Sequence, residues 1–361
     1  MAATTAVFSL FLILIPIPIP SLSAAPSSPY LSTATLFRNY QNMLTSFRIF
    51  IYSPTKPFNF PDGPSSLFYS SLLNSQFLTQ NPNEAHLFFV PFSPDTSTHS
   101  LARVVRELRN DHPYWNRTLG ADHFFLSPAG IDYSSDRNIL ELKKNSVQIS
   151  VFPVISGYFV PHKDITLPPS SKFKIGDRVE ENSTRISFLG YLNWDGKTES
   201  NLVNELMADV DFLVEEKPEP SINTRSVKKS KFCLFFYHGD APPLMVEAMS
   251  LGCVPVVIVD RPIQDFPLMD VLRWSEIGLL VKLPLAYASF ESPTSGGVKR
   301  LKEVLGGVSE EKYAEMTGLC VAASKHLVWN EEPQPLDAFH MVMYQLWLKR
   351  HAVRYARREF V

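Results

Sequence analysis

The stretch SKFCLFFYHGDAPPLMVEAMSLGCVPVV, residues 230–257, places a polar loop between two apolar runs. The runs KFCLFF and VPVVIVD are continuous and rich in β-branched or aromatic residues, which predicts two buried strands of a parallel sheet. The double proline at 242–243 is typical of a first helical turn, which does not need the missing N–H groups. Gly252 predicts the end of that helix, because a left-handed cap costs glycine little. The stretch therefore predicts strand, loop, helix and strand, with Glu247 one turn into the helix.

The same alternation of strands and helices continues on both sides of this stretch and predicts an α/β fold with parallel strands. Strands are predicted at 47–53, 85–92, 123–126, 186–192, 211–216, 231–236, 254–260 and 279–284. The polar segment 161–185 is interpreted as a linker between two halves. Two such sheets predict a cleft, because ligands of open α/β sheets bind at the carboxyl ends of the strands.

The domain plan follows from these boundaries. It consists of a signal segment at 1–25, a stem at 26–45, an N-terminal α/β domain at 46–175, a second α/β domain at 185–330 and a C-terminal helix at 331–361. A length of 361 residues with 45% hydrophobic content is ordinary for a two-domain globular protein. The net charge of -2 gives no global attraction to nucleic acid. The three cysteines, Cys233, Cys253 and Cys320, are too few and too unevenly spaced for a disulfide framework. Cys233 and Cys253 lie in apolar runs and are interpreted as small buried side chains, with a disulfide or redox role as the alternative.

The N-terminus predicts entry into the secretory pathway. Residues 6–19 are apolar but shorter than the roughly 20 residues that span a bilayer, and three prolines interrupt their end. The small residues at 23–25 resemble a cleavage site, whereas no basic residue precedes Arg38. Two interpretations stay open, a cleaved signal and a single-pass membrane anchor. Glycosylation sequons at Asn116 and Asn182 agree with a lumenal chain.

Glu247 is the residue with the clearest chemical potential. A carboxylate at the carboxyl edge of a sheet can accept hydrogen bonds from the two hydroxyls of a ribose, and the neighbouring helix start can hold a phosphate. The alternative is a carboxylate that only stabilises the first helical turn through the helix dipole. The residues alone leave both interpretations open.

Between Arg48 and Arg354, ten stretches resemble the exostosin-like family of glycosyltransferases, in the family's order and especially as in its plant members. They are FRIFIY, FPDGP, NPNEAHLFFVPFS, HPYWNRTLGADHFFLSP, HKDITLPP, ISFLGYL, SKFCLFF, VEAMSLGCVPVVIVD, FPLMDVLRWSEIGLLV and DAFHMVMYQL. The resemblance implies the GT-B architecture, with two facing Rossmann-like domains, a nucleotide-sugar donor on the C-terminal domain and a glycan acceptor on the other. It also implies an inverting reaction in the Golgi lumen with no cofactor and no essential metal, usually on cell-wall polysaccharide.

The resemblance also assigns site residues. Glu247 corresponds to the glutamate that binds the donor ribose, Gly239 and Asp240 lie in the donor loop, and Gly190 lies in the first loop of the donor domain. In the N-terminal half, the signature HPYWNR…GADHF contains Trp115, Asn116, Asp122 and His123. Asn116 therefore has a second interpretation, as a structural amide and not a glycan acceptor.

Two expected arginines are replaced. Leu244 or Met245 occupies the position before the glutamate, and Glu199 occupies the second position. Without a metal, the charge of a departing nucleoside diphosphate must be offset by cations and helix N-termini. Lys197, Lys231 and His238 are the cations near the predicted site, although lysine lacks the bidentate fork of arginine.

Inverting transfer also needs a general base, for which Asp122, His123, Asp240 and Asp132 are candidates. His123 has the competing interpretation of a hydrogen-bonded core histidine, and Asp240 that of a helix cap. The triplet Asp209-Val-Asp211 is interpreted as a chance match to a metal-binding pattern.

Two functions remain. The first is an active glycosyltransferase, and the second is a non-catalytic subunit or scaffold that partners other Golgi glycosyltransferases.

Overall fold

The computed structural model describes residues 28–54, 56–155, 157–170, 186–194, 196, 201–216, 223–237, 244–259, 262–283 and 296–350. Several predicted features lie outside these residues: the N-terminal signal segment, the sequon at Asn182, Lys197, Glu199, His238, Gly239 and Asp240. Within the described residues, no helix is both long and apolar enough to cross a bilayer.

The N-terminal half contains a parallel sheet of five strands in the order β1-β2-β3-β4-β5. The strands are β1 (Ile49–Ile51), β2 (Leu87–Phe89), β3 (His123–Leu126), β4 (Val147–Val151) and β5 (Ile165–Leu167). Leu78 forms an additional parallel bridge to Ile49, which also pairs with Leu87 of β2. The chain therefore moves outward from β1 to Leu78 and then crosses to β2 on the other side, so the strand order reverses at β1.

Successive side chains along these strands point to opposite faces of the sheet and contribute to two hydrophobic cores. Phe89 and Phe124 face one side of the sheet, and their neighbours Phe88 and Phe125 face the other. Helices α1 (Thr33–Ser46) and α2 (Pro64–Leu73) cover the first face, and α3 (Thr98–Asp111), α4 (Pro113–Thr118) and α5 (Arg137–Asn145) cover the second.

The C-terminal half repeats the same plan. Its five parallel strands follow the order β10-β9-β8-β6-β7, with the reversal at β6. The strands are β6 (Phe188–Trp194), β7 (Phe212–Glu216), β8 (Ser230–Phe236), β9 (Val254–Val259) and β10 (Leu279–Lys282). The helices are α6 (Asn201–Met207), α7 (Thr224–Lys228), α8 (Met245–Ser250), α9 (Trp274–Ile277), α10 (Gly297–Gly306), α11 (Glu310–Ser324) and α12 (Ala338–Lys349). Two Rossmann-like domains are thus present, and the predicted α/β GT-B fold class is confirmed.

One hydrophobic core runs through both domains. Phe47 and Phe124 of the N-terminal domain belong to the same buried cluster as Met245 and Val257 of the C-terminal domain. The last helix, α12, packs against β5 and α1 of the N-terminal domain. The domains are therefore joined by shared packing as well as by the chain.

The predicted stem at 26–45 is part of this fold from residue 28 onward. Residues 29–31 pair with 271–273, with Leu31 N donating to Val271 O at 2.8 Å and Arg273 N donating to Pro29 O at 2.8 Å. Tyr40 and Met43 of α1 are buried in the common core. The short helical stretch predicted at the end of this stem corresponds to α1, whose apolar face packs into the core.

The predicted linker at 161–185 begins too early. Strand β5 lies inside it and pairs with β4. Asp164, just before β5, is 3% exposed and accepts N–H hydrogen bonds from Gln148 at 3.1 Å and from Val160 at 2.9 Å. Proline and lysine near this strand make the segment resemble a loop, but its Ile-Thr-Leu core completes the sheet.

The interpretation of Cys233 and Cys253 as free buried side chains is corrected, because the two form a disulfide with a Cα–Cα distance of 5.8 Å. Parallel pairing explains this proximity, since Cys233 lies opposite Pro255 on the neighbouring strand. The bond encloses the end of β8, the loop that follows and helix α8. Cys320 is free and buried.

Removing this disulfide should lower the free energy of unfolding. The bond joins residues separated by 20 positions, so the chain-entropy argument gives a loss of about 3 kcal/mol. We expect the Cys233→Ala/Cys253→Ala variant to unfold at lower denaturant concentration than the wild type. A reductant should destabilise the wild type and Cys320→Ala alike and leave the double variant unchanged; equal sensitivity of the double variant would contradict the assignment.

Candidate functional site

The carboxyl edges of the two sheets meet. Tyr237, which follows β8, hydrogen-bonds to Asp265, and the same carboxylate contacts Val154 in the loop after β4. Ligands of doubly wound sheets bind outside the carboxyl ends of the strands where the strand order reverses. In the C-terminal sheet this point lies between β6 and β8. Trp194 and Tyr237, at the carboxyl ends of these two strands, therefore border the candidate site.

Helix α8 places Glu247 near this edge. The helix follows β8 and its loop, Glu247 lies in its first turn, and Gly252 ends the turn after the helix with φ +84°. These elements lie where the sequence predicts them. Glu247 as a residue is only 7% exposed. A carboxylate sheltered from water in this way makes stronger hydrogen bonds to a bound hydroxyl than an exposed one.

The neighbouring residues of α8 are apolar and buried. Leu244 is 8% exposed and Met245 is fully buried in the common core. These are the positions at which the family resemblance leads one to expect an arginine. The structure gives them packing contacts instead, so neither supplies a cation to the site.

Lys231 is wrong as a donor-binding residue. It lies at the amino end of β8, five residues before Phe236, which corresponds to roughly 17 Å along a strand. Its ammonium pairs with Glu310 and lies 5.3 Å from the centre of the Tyr313 ring. The lysine therefore belongs to the opposite edge of the sheet from the candidate site.

Gly190 lies inside strand β6 and not in a loop. A Cβ at this position would stand 2.7 Å from the Phe212 ring of the adjacent strand β7. The glycine is thus required by close packing between two strands. Its predicted place in the first loop of the donor domain is corrected, because the strand continues to Trp194.

Asp122 and His123 form a buried hydrogen-bond chain in the N-terminal domain. His123 Nδ1 lies 2.8 Å from Asp122 Oδ1, and His123 Nε2 lies 2.9 Å from the hydroxyl of Tyr52. Asp122 also accepts hydrogen bonds from Arg117 at 2.8 Å and from Thr118 at 2.5 Å. Both ring nitrogens of the histidine are occupied, and the residue is fully buried.

Electrostatics agree with a structural role for this chain. Burial lowers the pKa of His123 in spite of its contact with Asp122. Burial acts to raise the pKa of Asp122, but hydrogen bonds from His123, Thr118 and Arg117 outweigh it and hold that pKa below its usual range. The geometry favours the interpretation of His123 as a core histidine. A catalytic role for Asp122 or His123 stays a prediction.

The rest of the signature serves the same packing. Trp115 is buried with its ring 4.7 Å from that of His123. Gly120 has φ +81°, and a Cβ there would stand 2.7 Å from the Trp115 ring. Asn116 donates to Arg109 O at 3.0 Å while remaining exposed, so both interpretations of this residue stay open.

Both carboxylates of the triplet at 209–211 form ion pairs with one lysine. Lys302 lies 2.7 Å from a carboxylate oxygen of Asp209 and 2.7 Å from one of Asp211. The interpretation of the triplet as a chance match therefore agrees with the geometry.

A buried lysine in the N-terminal domain was missed by the sequence analysis. Lys143 has no exposed side-chain surface; it donates to Gln148 Oε1 at 3.0 Å and to Tyr158 O, and it lies 3.8 Å from Asp164. These contacts fix the loop between β4 and β5, which carries Val154 to the domain interface. Burial lowers the pKa of Lys143 to about 8.

The Exostosin GT47 domain matches residues 43–286, which include both sheets and Glu247. The chain belongs to the exostosin GT47 family. The resemblance found in the sequence is confirmed.

Three relatives of this GT47 protein illustrate the match. It is 27% identical to "Probable glycosyltransferase At5g25310" of Arabidopsis thaliana, over 90% of this chain and 72% of the relative. It is 26% identical to "Probable beta-1,4-xylosyltransferase IRX10L" of the same plant, over 75% and 71% of the two chains. It is 26% identical to "Probable glucuronosyltransferase Os01g0926600" of Oryza sativa subsp. japonica, over 77% and 72%.

The packing role of Gly190 in this GT47 protein is testable. We expect Gly190→Ala to lower the free energy of unfolding by about 1–3 kcal/mol, because the added methyl group overpacks the contact with Phe212. Chemical denaturation measures the change. Gly318→Ala is the matched control, since a Cβ there meets nothing within 4 Å and helix propensity favours alanine. A neutral Gly190→Ala would contradict the packing role.

The buried lysine predicts a pH dependence. The pKa of Lys143 is lowered in the folded state to about 8 from 10.5, so between these values the unfolded chain holds more protons. Raising the pH through this window should therefore stabilise the folded protein, by at most about 1.4 kcal/mol per pH unit. Urea unfolding at several pH values should show this increment in the wild type relative to Lys143→Met. Identical pH slopes in the two proteins would refute it.

Proposed function

We propose that this GT47 protein transfers a sugar from a nucleoside diphosphate to a glycan acceptor with inversion at the sugar carbon. The donor lies at the carboxyl edge of the C-terminal sheet, between β6 and β8. The observation that carries this proposal is the position of Glu247, a sheltered carboxylate in the first turn of α8 beside the reversal of strand order.

Glu247 suits the ribose of the donor. An ionised carboxylate accepts hydrogen bonds through both oxygens, and the two hydroxyls of a ribose present two donors side by side. Hydrogen bonds to a charged acceptor contribute about 1.5–3 kcal/mol each. The carboxylate would thus fix the nucleoside and leave the diphosphate and sugar to extend toward the cleft.

The diphosphate is the chemically demanding part of the donor. The predicted donor-loop residues His238, Gly239 and Asp240 fall outside the described residues, and their roles remain proposals. We expect no cofactor and no essential metal, so the charge of the leaving group must be met by this loop and by His238. Among the candidate general bases, Asp240 is the one that belongs to the predicted donor loop.

The acceptor is proposed to bind the N-terminal domain. Its strand order reverses at β1, so the crevice between the carboxyl ends of β1 and β2 is the corresponding ligand position. Ser53 and Ser93 follow these strands and offer hydroxyl groups to a glycan. The printed names of two relatives, a xylosyltransferase and a glucuronosyltransferase, support a pentose or uronic acid as the transferred sugar. The proposed acceptor, a cell-wall polysaccharide, is what the family resemblance implies.

We place this reaction in the Golgi lumen. The disulfide between Cys233 and Cys253 supports an oxidising compartment. The N-terminal segment would serve as a type II membrane anchor or as a cleaved signal.

Substitution of Glu247 tests the donor site. We expect Glu247→Gln to weaken UDP binding about tenfold or more in isothermal titration, because one acceptor oxygen becomes a donor. Glu310→Gln is the matched control, since Glu310 pairs with Lys231 at the far edge of the same sheet. Unchanged affinity in Glu247→Gln, or an equal loss in the control, would remove the proposed site.

A second candidate is a non-catalytic subunit of a Golgi glycosyltransferase complex. The specific observation in its favour is the apolar burial of Leu244 and Met245 where a cation is expected. Assays of transfer and donor hydrolysis with a panel of UDP-sugars separate the two candidates. A folded protein that binds UDP yet neither transfers nor hydrolyses any of these sugars supports the subunit.

A further inference from the structure

Asp265 is a buried carboxylate at the contact between the two domains. It lies in the segment after β9 and is 3% exposed. Its Oδ2 accepts the backbone N–H of Val154 at 2.7 Å, and its Oδ1 accepts the hydroxyl of Tyr237 at 2.5 Å. The two oxygens of one side chain therefore contact different domains.

The backbone of the same residue adds a third contact. Thr166, in β5 of the N-terminal sheet, donates its hydroxyl to Asp265 O at 2.9 Å. The segment after β9 is thus attached to the N-terminal domain through both β5 and the loop after β4. That loop is itself held by Lys143 and Gln148, which both donate to Tyr158 O.

Tyr237 brings this contact to the edge of the donor loop. Tyr237 directly follows β8, and its N–H donates to Ile258 O of β9 at 2.9 Å. The next residue in the chain is His238 of the predicted donor loop. The ring of Tyr237 lies 6.0 Å from that of Phe152 in the N-terminal domain. Four residues earlier, Cys233 begins the disulfide-bonded ring that contains α8 and Glu247.

Apolar packing also joins the two domains at this contact. Phe152 stacks on Phe266 at 5.6 Å, and Phe266 stacks on Trp274 at 4.6 Å. A buried carboxylate adds little net stability compared with well-packed apolar groups, because its desolvation is costly. The carboxylate instead fixes relative position, because its two acceptor oxygens hold two donor groups at set distances and angles.

We propose that Asp265 is a positioning residue that sets the entrance of the donor loop against the N-terminal domain, through the Tyr237 hydroxyl on one side and the Val154 N–H on the other. The contact holds the β8–α8 unit at a fixed distance from the acceptor domain before any substrate binds. The part of this inference that concerns the donor rests on the proposed function.

The test uses Tyr237→Phe, which removes the hydroxyl and keeps the ring. Tyr40→Phe is the matched control, because both tyrosines are 4% exposed and Tyr40 also makes one hydroxyl contact, accepting Leu336 N–H at 3.0 Å. Hydrogen–deuterium exchange of peptides from residues 244–253 is measured without ligand, and UDP affinity is measured by titration. Asp265→Asn is the second variant, because an amide has only one acceptor oxygen for the two donors.

We expect exchange of these peptides to rise several-fold in Tyr237→Phe and Asp265→Asn and to stay at the wild-type rate in Tyr40→Phe. We also expect UDP affinity to fall about fivefold in the first two variants only, as for the loss of one hydrogen bond. Unchanged exchange in Tyr237→Phe, or an equal rise in Tyr40→Phe, overturns the positioning role whether or not UDP binds. Raised exchange in a protein whose wild type does not bind UDP sustains the positioning role and refutes the proposed donor site.

Discussion

Parallel pairing of every strand puts all the carboxyl ends of each sheet at one edge, and the cleft depends on this constraint. In both sheets the chain first moves to one side of the opening strand and then crosses to the other. The strand order therefore reverses at β1 and again at β6, which is where doubly wound sheets bind their ligands. Residues that follow β4, β8 and β9 contact one another, so the two carboxyl edges of this GT47 protein are adjacent.

The contacts that keep the edges face to face are partly polar. Asp265 links Tyr237 to Val154, and Trp329 donates its indole N–H to Pro168 O at 2.9 Å. Beside Asp265, the ring of Phe266 stacks on those of Phe152 and Trp274. Buried polar groups with partners fix relative position, whereas apolar packing supplies most of the stabilisation.

The strongest apolar patterns in the sequence were sufficient to predict most strands and the fold class. Strand β4 was missed because it carries the polar residues Gln148 and Ser150, which are fully buried through contacts that no local pattern reveals. The disulfide was missed for a related reason, since only strand register brings Cys233 and Cys253 together. For the site, Glu247 was placed correctly in the first turn of α8, but Lys231 was assigned to the wrong edge. Proximity in sequence to a loop does not say at which end of a strand a residue lies. Asp265 carried no sequence signal, because its partners are more than twenty residues away.

The last helix, α12, crosses back to cover β5 and contacts α1. This arrangement limits how donor specificity can be exchanged between relatives. A chimera of two relatives joined only between residues 170 and 186 would combine the N-terminal sheet of one protein with the helix α12 of the other. An exchangeable unit must carry residues 28–46 and 338–349 with the N-terminal sheet, even though they are at opposite ends of the polypeptide. The N-terminal sheet of this protein is therefore part of a discontinuous module that includes α12.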